Sequence, residues 1–279
     1  MVLNWLISKV TTNYQVFLAM VAVITVIPLA WLYCEDREHS FLKIILFMNM
    51  SNFVLLFSGL RQSIALAIGI IAFHYVREKK PLRFMLTALI ALGFHHSAFM
   101  IFLYYPLYYA TFKRKHLWFV IPAILFVFAF NRPIFSAAVS ILSMFSSDKF
   151  AVNMSSTGAY TMLLVFIAFT VFSYVIPDEK HMDQETLGLR NFLLSAVVLQ
   201  GFAPLHTLSM RLNYYYILFI PILIPKILKN AKPFPKDVVR FMKACFVVFF
   251  TGYYLLTTYV SCQTGISALD TYPYIPCWT

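Results

Sequence analysis

The sequence predicts an all-α, polytopic integral membrane protein, and three observations lead to this prediction. Of the 279 residues, 61% are hydrophobic and only 12% are charged, which is about half the charged fraction of an ordinary soluble domain. The mean hydropathy is correspondingly high, at +0.77. Stretches of about 18 or more mostly apolar residues, long enough for a helix to cross a bilayer, recur along the chain. No long hydrophilic segment separates them, so residues 1–279 are expected to form a single membrane domain.

The apolar stretches predict eight membrane spans, at about 14–33, 41–58, 60–76, 117–130, 160–176, 191–208, 213–228 and 240–260. The N-terminal segment "MVLNWLISKVTTNYQ" has no charged n-region and no cleavage site, so it is not predicted to be a removable signal peptide. The four cysteines show no CxxC spacing, which argues against a metal cluster. Cys262 and Cys277 are both expected on the external side, where they could pair.

The stretch 82–112 does not fit one ordinary span. The basic segments "REKKPLR" before it and "KRKH" after it should both be cytoplasmic by the positive-inside rule. The chain must therefore enter the membrane and return, and we predict a hairpin of two short helices within 83–111, at about 83–93 and 97–111. His95, His96 and Ser97 would lie near its tip. Such broken helices need cover from protein or from a water-filled cavity.

The basic residues give the predicted orientation. Seventeen of the 22 Lys and Arg residues fall in breaks that this topology places in the cytoplasm, as the positive-inside rule requires. The net charge of +11 is therefore interpreted as a topology signal rather than as a nucleic-acid-binding surface. Arg61, Arg211, His206 and the hairpin tip would all lie at the external face, and Lys149 and the C-terminus would lie there too. Distant segments thus deliver cations and imidazoles to one side.

These external residues suit a diphosphate substrate. A guanidinium pairs with two phosphate oxygens at once, which a lysine cannot do. A nearby histidine is a candidate general base because its pKa is close to the working pH. The chain has no HExxH, GxSxG, P-loop or DxD motif, and external acidic residues are scarce. We therefore expect no metal and no cofactor, and the combination with an apolar groove favours a polyprenyl-diphosphate sugar donor.

Structural roles are the alternative for each of these residues. Arg61 could be a snorkelling anchor at the end of its span. Arg211 could belong to an aromatic belt with the following "LNYYY". His95 and His96 could cap the hairpin helices, and His206 could be a packing residue.

Three segments of the chain resemble the EpsG family of exopolysaccharide and O-antigen polymerases. They are "FSGLRQSIALAI", "REKKPLRFMLTALIALGFHHSAFMIFLYYPL" and "SMRLNYYYILFIPILIP". The family pattern has S-G-x-R-Q before a span, F-H-x-S-A after a short helix, and R-x-x-Y-Y late in the chain. In this sequence the pattern falls on Arg61, Gln62, His95, Ser97, Arg211, Tyr214 and Tyr215, with His96 at the variable position. The chain begins inside a family segment that further spans and acidic residues usually precede, so we expect an N-terminally shortened member.

The resemblance implies a Wzy-like polymerase of the bacterial inner membrane, with its site facing the periplasm. Such an enzyme would join undecaprenyl-diphosphate-linked oligosaccharides in exopolysaccharide, capsule or lipopolysaccharide synthesis, and a GT-C-like architecture would suit it. Arg61 and Arg211 would hold the diphosphate, and His95 would either activate the acceptor hydroxyl or orient the donor. The expected substrate-binding residues are Gln62, His96, Ser97, His206, Tyr214 and Tyr215. The implied partners are membrane lipids, a chain-length regulator and a flippase, without nucleic acid.

Two functions of other classes remain as alternatives. A flippase for lipid-linked glycans would need polar residues along the whole path through the bilayer, whereas here they gather at one face. A polysaccharide O-acetyltransferase would need an Arg/His set that connects to the cytoplasmic side, and the sequence shows none there. The pattern therefore favours the polymerase.

Overall fold

The computed structural model describes Lys9 and residues 13–36, 39–143 and 157–264, and within these ranges the regular secondary structure is entirely helical, without strands. The α-helices α1 to α13 are, in chain order, Tyr14–Cys34, Ser40–Met48, Ser51–Ser58, Leu60–Arg77, Pro81–Phe94, Tyr104–Tyr109, Leu117–Ala129, Asn131–Ser143, Thr157–Val175, Gln184–Gln200, Thr207–Ile217, Ile220–Lys229 and Lys236–Thr264. Short 3₁₀ helices cover His96–Leu103, Arg114–His116 and Glu179–His181. The all-α prediction is confirmed; Lys149 and Cys277 lie outside the described residues.

Two single helices, α1 and α13, are long and apolar enough to cross a membrane. Three further pairs reach that length together but are bent: α2 with α3 by 64°, α7 with α8 by 73°, and α11 with α12 by 41°. The described part of the chain thus offers up to five candidate spans by length and composition. The prediction of eight spans is not reproduced as eight unbroken helices, because polar residues and prolines interrupt several apolar runs.

The predicted span at 191–208 is wrong in its extent. Helix α10 begins earlier, at Gln184, because the Asp183 carboxylate accepts a hydrogen bond from the Thr186 backbone N–H at 2.9 Å and so caps the helix. It ends at Gln200, and a turn through Gly201 leads to the separate helix α11. The apolar run continues across this turn, which is why hydropathy alone does not reveal it.

Two other predicted spans are interrupted. The span at 41–58 breaks at Asn49 and Met50, where the Asn49 side chain donates to the Ile45 carbonyl at 2.7 Å and to the Phe250 carbonyl at 3.1 Å. The span at 213–228 breaks at Leu218 and Phe219, just before a proline at the start of α12. Proline is well placed at the start of a helix because it has no backbone N–H to donate.

The predicted hairpin is confirmed. Helix α5 ends at Phe94, and the chain then returns through the 3₁₀ helix 96–103 and α6. The return is fixed by the Tyr109 hydroxyl, which donates to the Val76 carbonyl at 2.7 Å near the end of α4. The second leg differs from the prediction, since its first eight residues form a 3₁₀ helix rather than an α-helix.

Buried aromatic rings hold α4, α6, α10 and α11 together. The Phe73 ring on α4 lies 5.8 Å from Phe192 and 4.5 Å from Phe219, measured between ring centroids. Tyr104 lies 5.1 Å from Phe192 and 6.0 Å from Tyr216. None of the five side chains is more than 1% exposed. Each such pair contributes about 0.5–1.5 kcal/mol beyond its buried area, so this centre fixes the positions of the surrounding helix ends.

An ionic cluster joins four helices at one end of the bundle. Arg77 at the end of α4 lies 2.7 Å from the Glu35 carboxylate, just after α1, and 3.4 Å from Glu185 on α10. Lys226 on α12 lies 3.0 Å from Glu185 and 3.7 Å from Asp183. The cluster marks this end of the bundle. Since a helix rises about 1.5 Å per residue, Arg61 lies about 24 Å away at the opposite end of α4.

Candidate functional site

A cavity of about 700 Å³ opens at the end of the bundle opposite the ionic cluster. It is lined by Phe17, Leu55, Ser58, Gly59, Leu60, Arg61, Gln62, His95, Thr207, Met210, Arg211 and Tyr214. Helices α1, α3, α4 and α11 and the hairpin tip all contribute to it. The lining residues include two arginines and no carboxylate, so the cavity is cationic. Arg61, His95 and Arg211 line one space, as the sequence predicts.

The start of α4 places Arg61 in this wall. Gly59 both ends α3, where its N–H donates to the Leu55 carbonyl at 2.8 Å, and begins α4, where its carbonyl accepts from the Ser63 N–H at 2.9 Å. A Cβ at position 59 would lie 2.5 Å from the Leu55 Cδ1, so any larger residue there would require the Leu55 side chain to move. The first turn of α4 has unpaired backbone N–H groups and a partial positive charge. The positive charge of the arginine and the partial positive charge of the helix end therefore both attract anions.

The start of α11 forms the facing wall. His206 precedes it, and its Nδ1 accepts a hydrogen bond from the Leu208 backbone N–H at 3.0 Å. Thr207, Met210 and Arg211 of the first two turns line the cavity. The buried Gln62 side chain donates to the Arg211 carbonyl at 2.6 Å and so fixes α11 against α4. Two helix N-termini thus meet at one cavity, an arrangement that favours anions.

Neither Arg61 nor Arg211 has a carboxylate partner among the residues that the structure describes. Arg77 and Arg190 differ, since the first contacts Glu35 at 2.7 Å and the second contacts Glu179 at 3.1 Å. Both cavity arginines are exposed. Their guanidinium groups are therefore available to a ligand.

His95 forms the tip of the hairpin, outside the candidate membrane spans. Its extended backbone (φ −150°, ψ 129°) ends α5, and its Nδ1 accepts from the Ser97 backbone N–H at 3.2 Å. The same Nδ1 lies 2.6 Å from the Ser97 hydroxyl. Because a backbone N–H can only donate, Nδ1 carries no proton, and in the neutral imidazole the proton is on Nε2. His95 thus offers the cavity an N–H donor.

The charges around His95 favour this neutral form. Burial lowers the pKa of its imidazole from the ordinary value, and the positive charges of Arg211 and Arg61 and the neighbouring His96 lower it further. Protonation of Nδ1 would also break the hydrogen bond that it accepts from the Ser97 backbone N–H. At neutral pH the ring is therefore an uncharged hydrogen-bond donor.

The remaining candidates from the sequence lie around the cavity rather than all within it. Tyr214 and Gln62 line it, whereas His96 is exposed. Ser97 and Tyr215 are buried behind His95, and a hydrogen bond of 3.2 Å joins their hydroxyl groups. The described cavity lining does not include them, and Ser97 contacts His95 through its backbone N–H and its hydroxyl.

His206 lies at the N-terminal end of α11. It caps α11 through Nδ1, and its ring lies 5.8 Å from the Phe135 ring, measured between centroids. Sequence reasoning missed Ser58 and Thr207, which line the cavity beside the two arginines. Ser58 is the first residue of the S-G-x-R-Q motif and Thr207 lies two residues before the third quoted segment, so their position in the sequence was a usable signal. Within the described residues no group of three or more His, Cys, Asp or Glu side chains is arranged to hold a metal ion.

The fold and the site define an all-helical membrane protein with a cationic cavity at one end of its bundle. The family model of the EpsG family matches residues 1–276, and the chain belongs to this family. Membership suggests a polymerase-type function in exopolysaccharide synthesis. No curated protein and no solved structure matches the chain.

Proposed function

We propose that the protein is a metal-independent polymerase that joins undecaprenyl-diphosphate-linked oligosaccharide repeats. The observation that carries this proposal is the cationic cavity, in which two arginines without carboxylate partners and two helix N-termini face one space. A diphosphate carries the complementary negative charge. Arginine is well suited to it because its planar fork donates two parallel hydrogen bonds.

In the proposed reaction the bond between the sugar C1 and the diphosphate oxygen breaks, and C1 bonds to a hydroxyl of a second lipid-linked repeat. The diphosphate leaves with the electron pair, and the hydroxyl proton is released. Arg61 and Arg211 would stabilise the negative charge as it develops on the leaving group. Donors that are already in place when charge develops are the strongest contributors to such catalysis.

His95 would orient the donor rather than remove a proton. The sequence leaves both roles open. The two contacts from Ser97 at 3.2 and 2.6 Å engage the lone pair of Nδ1, and a base would need that lone pair. The remaining Nε2–H is suited to donate to a phosphate or sugar oxygen. Gln62 and Tyr214 would provide further hydrogen bonds from the cavity wall.

The proposal places the cavity at the external face of the bacterial inner membrane and the ionic cluster at the cytoplasmic end. The basic residues support this orientation, because Arg77, Arg83 and Lys226 belong to the same end as the cluster. A re-entrant hairpin that presents a catalytic residue at the external ends of the helices suits a GT-C-like polymerase. The proposed partners are the lipid-linked glycan, a flippase that delivers it and a chain-length regulator.

The test is complementation of a strain from which the gene has been deleted. Arg61→Ala and Arg211→Ala should each reduce polymer at least about 10²-fold on a glycan gel, the typical cost of losing one such donor. Arg132→Ala is the matched control, because Arg132 is an exposed arginine near the same end of the bundle that does not line the cavity. The membrane abundance of each variant is measured by immunoblot.

The deletion strain itself separates the proposal from the flippase. A strain without a polymerase should accumulate single repeats at the external face, where an added impermeant periodate or lectin reaches them. Accumulation of single repeats on the cytoplasmic face alone would contradict the polymerase and favour transport.

A further inference from the structure

A second cavity, of about 510 Å³, lies at the other end of the bundle, between the end of α12 and the start of α13. Its wall is formed by His39, Leu228, Lys229, Ala231, Lys232, Phe234, Lys236, Val239, Arg240 and Lys243. The residues that line it include five lysines and arginines and no carboxylate. The nearest acidic residue in the sequence, Asp237, contacts Arg240 at 3.1 Å with its side chain 90% exposed. Asp36 lies 3.9 Å from the Nδ1 of His39 in the wall, and the lining itself is predominantly basic.

This concentration of positive charge attracts anions. Like charges that line one cavity repel one another, and an anion between them relieves that repulsion. The cations come from two separate elements, with Lys229 and Lys232 at the end of α12 and Lys236, Arg240 and Lys243 on α13. An anion between them would therefore attract both elements. Lysine is a common phosphate ligand, as a point charge.

The surroundings indicate a lipid rather than a soluble anion. Helix α13 is one of the two single-helix candidate membrane spans, and the cavity lies at its beginning. Further along α13 the apolar side chains Phe241, Val248 and Phe249 are 70%, 70% and 62% exposed. A headgroup in the cavity would thus continue into acyl chains along an apolar helix surface. Leu228, Phe234 and Val239 in the cavity wall suit the first methylene groups.

Helix α13 is otherwise held to the bundle mostly by partly buried side chains. Phe250 is its one buried residue in the described structure, packed 5.8 Å from Phe169 between ring centroids. In the first half of the helix, Lys236–Phe249, no side chain is fully buried, and Val239, Met242 and Phe246 pack partly buried against the core. We propose that the phosphate headgroup of an anionic phospholipid binds in this cavity and fastens the start of α13 to the bundle. Basic pockets between membrane helices recognise such headgroups, and this proposal does not depend on the polymerase function.

The test compares lipid binding in two triple variants of the full-length protein. Lys232→Gln/Lys236→Gln/Arg240→Gln removes three cations from the cavity. The matched control Arg83→Gln/Lys113→Gln/Lys115→Gln removes three exposed cations from the same end of the bundle but outside the cavity. Native mass spectrometry measures the binding of phosphatidylglycerol and of phosphatidylcholine to each protein. Because three of the five cations are removed, the cavity variant should bind phosphatidylglycerol at least about 10-fold more weakly, and the control should match the wild type.

Three results would overturn the proposal. Equal losses in both variants would mean attraction by general charge, and equal binding of the two lipids by the wild type would mean that the headgroup is not recognised. Displacement of the lipid by millimolar inorganic phosphate would assign the cavity to a soluble anion.

If the cavity variant does not fold, photoreactive phosphatidylglycerol bound to the wild type decides the question. Cross-links within 228–243 are expected, and cross-links confined to other segments would refute the site.

Discussion

At the scale of single residues, Arg61 is the side chain whose chemistry can be tested most directly. Arg61→Lys keeps the charge but loses the planar fork that donates two parallel hydrogen bonds. If Arg61 holds the diphosphate, polymer formation should fall by about 10²-fold in a complemented deletion strain, by analogy with the loss of one preorganised donor. If Arg61 is only a snorkelling anchor, polymer formation should be unchanged in Arg61→Lys, since lysine snorkels equally well. Normal polymer made by a normally abundant Arg61→Lys protein would show that the residue serves the membrane alone.

The donor role of His95 predicts a graded series of variants. The Nε2 amide group of glutamine reaches about as far as the Nε2–H of histidine, whereas alanine offers no donor. His95→Gln should therefore retain part of the polymer formation, and His95→Ala should lower polymer formation at least about 10²-fold. A general base predicts that both lose activity alike, because glutamine cannot accept a proton. The comparison uses the same gel and the same abundance measurement.

The charges around His95 make a separate prediction for its titration. Burial and the two arginines lower the pKa of the imidazole, so it should titrate below about 6.5 in NMR spectra of histidine-labelled protein. Arg211→Gln removes one of these charges and should shift the pKa upward. Because the pKa is lowered in the folded state, the stability contributed by neutral His95 is present above pH about 6.5 and is lost as the pH falls through the folded pKa. An unchanged titration in Arg211→Gln would contradict the proximity of the two side chains.

The sequence predicted which residues lie at the site better than it predicted which of them face the cavity. The motifs pointed to Arg61, His95 and Arg211, because charged groups in apolar sequence are conspicuous. Ser97 and Tyr215 also belong to motifs, yet they are buried behind His95. Which side of a helix faces a cavity depends on the packing of elements distant in sequence, and a single motif contains no information about that packing.

At the scale of elements, the close contact between α10 and α6 can be tested with a pair of glycines. A Cβ at Gly188 would lie 2.4 Å from the Tyr108 ring and 2.9 Å from its backbone carbonyl. Gly188→Ala should therefore lower the free energy of unfolding by about 1–3 kcal/mol through overpacking. Gly252→Ala on α13 meets open space and should be neutral or stabilising by up to about 1 kcal/mol, the helix-propensity difference. Thermal unfolding in detergent measures both, and equal effects would contradict the close contact.

The breaks within elements explain why eight spans were predicted from this sequence. Hydropathy records the apolar run but not the local hydrogen bonds that interrupt it, such as those of the Asn49 side chain to the Ile45 and Phe250 carbonyls. The hairpin was predicted correctly because charge on both sides of 82–112 left no other path. Basic residues constrain the side of the membrane on which a segment ends, whereas helix breaks inside an apolar run depend on tertiary partners.

At the scale of the whole molecule, the two ends differ in their electrostatic character. The cavity end has two arginines without carboxylate partners within the described structure, and the other end has the paired Arg77, Glu35, Glu185 and Lys226. The aromatic centre between them is tightly packed, with Phe73, Tyr104 and Phe192 no more than 1% exposed. Among the described residues, this packed aromatic centre separates the cationic cavity from the ionic cluster.

The assignment of the cavity end to the outside and of the ionic cluster to the cytoplasm predicts which positions an impermeant reagent reaches. In a background without the four native cysteines, Cys34, Cys245, Cys262 and Cys277, a single cysteine replaces His96 or Lys115. Intact cells should label position 96 from outside, because the hairpin tip lies at the cavity end, and should label position 115 only after lysis. The hairpin makes the test decisive: Tyr109 contacts Val76 at 2.7 Å, so the chain returns to its starting side between positions 96 and 115. Labelling of position 115 but not of position 96 in intact cells would invert the molecule, place the cationic cavity in the cytoplasm and rule out an externally presented lipid diphosphate as its ligand.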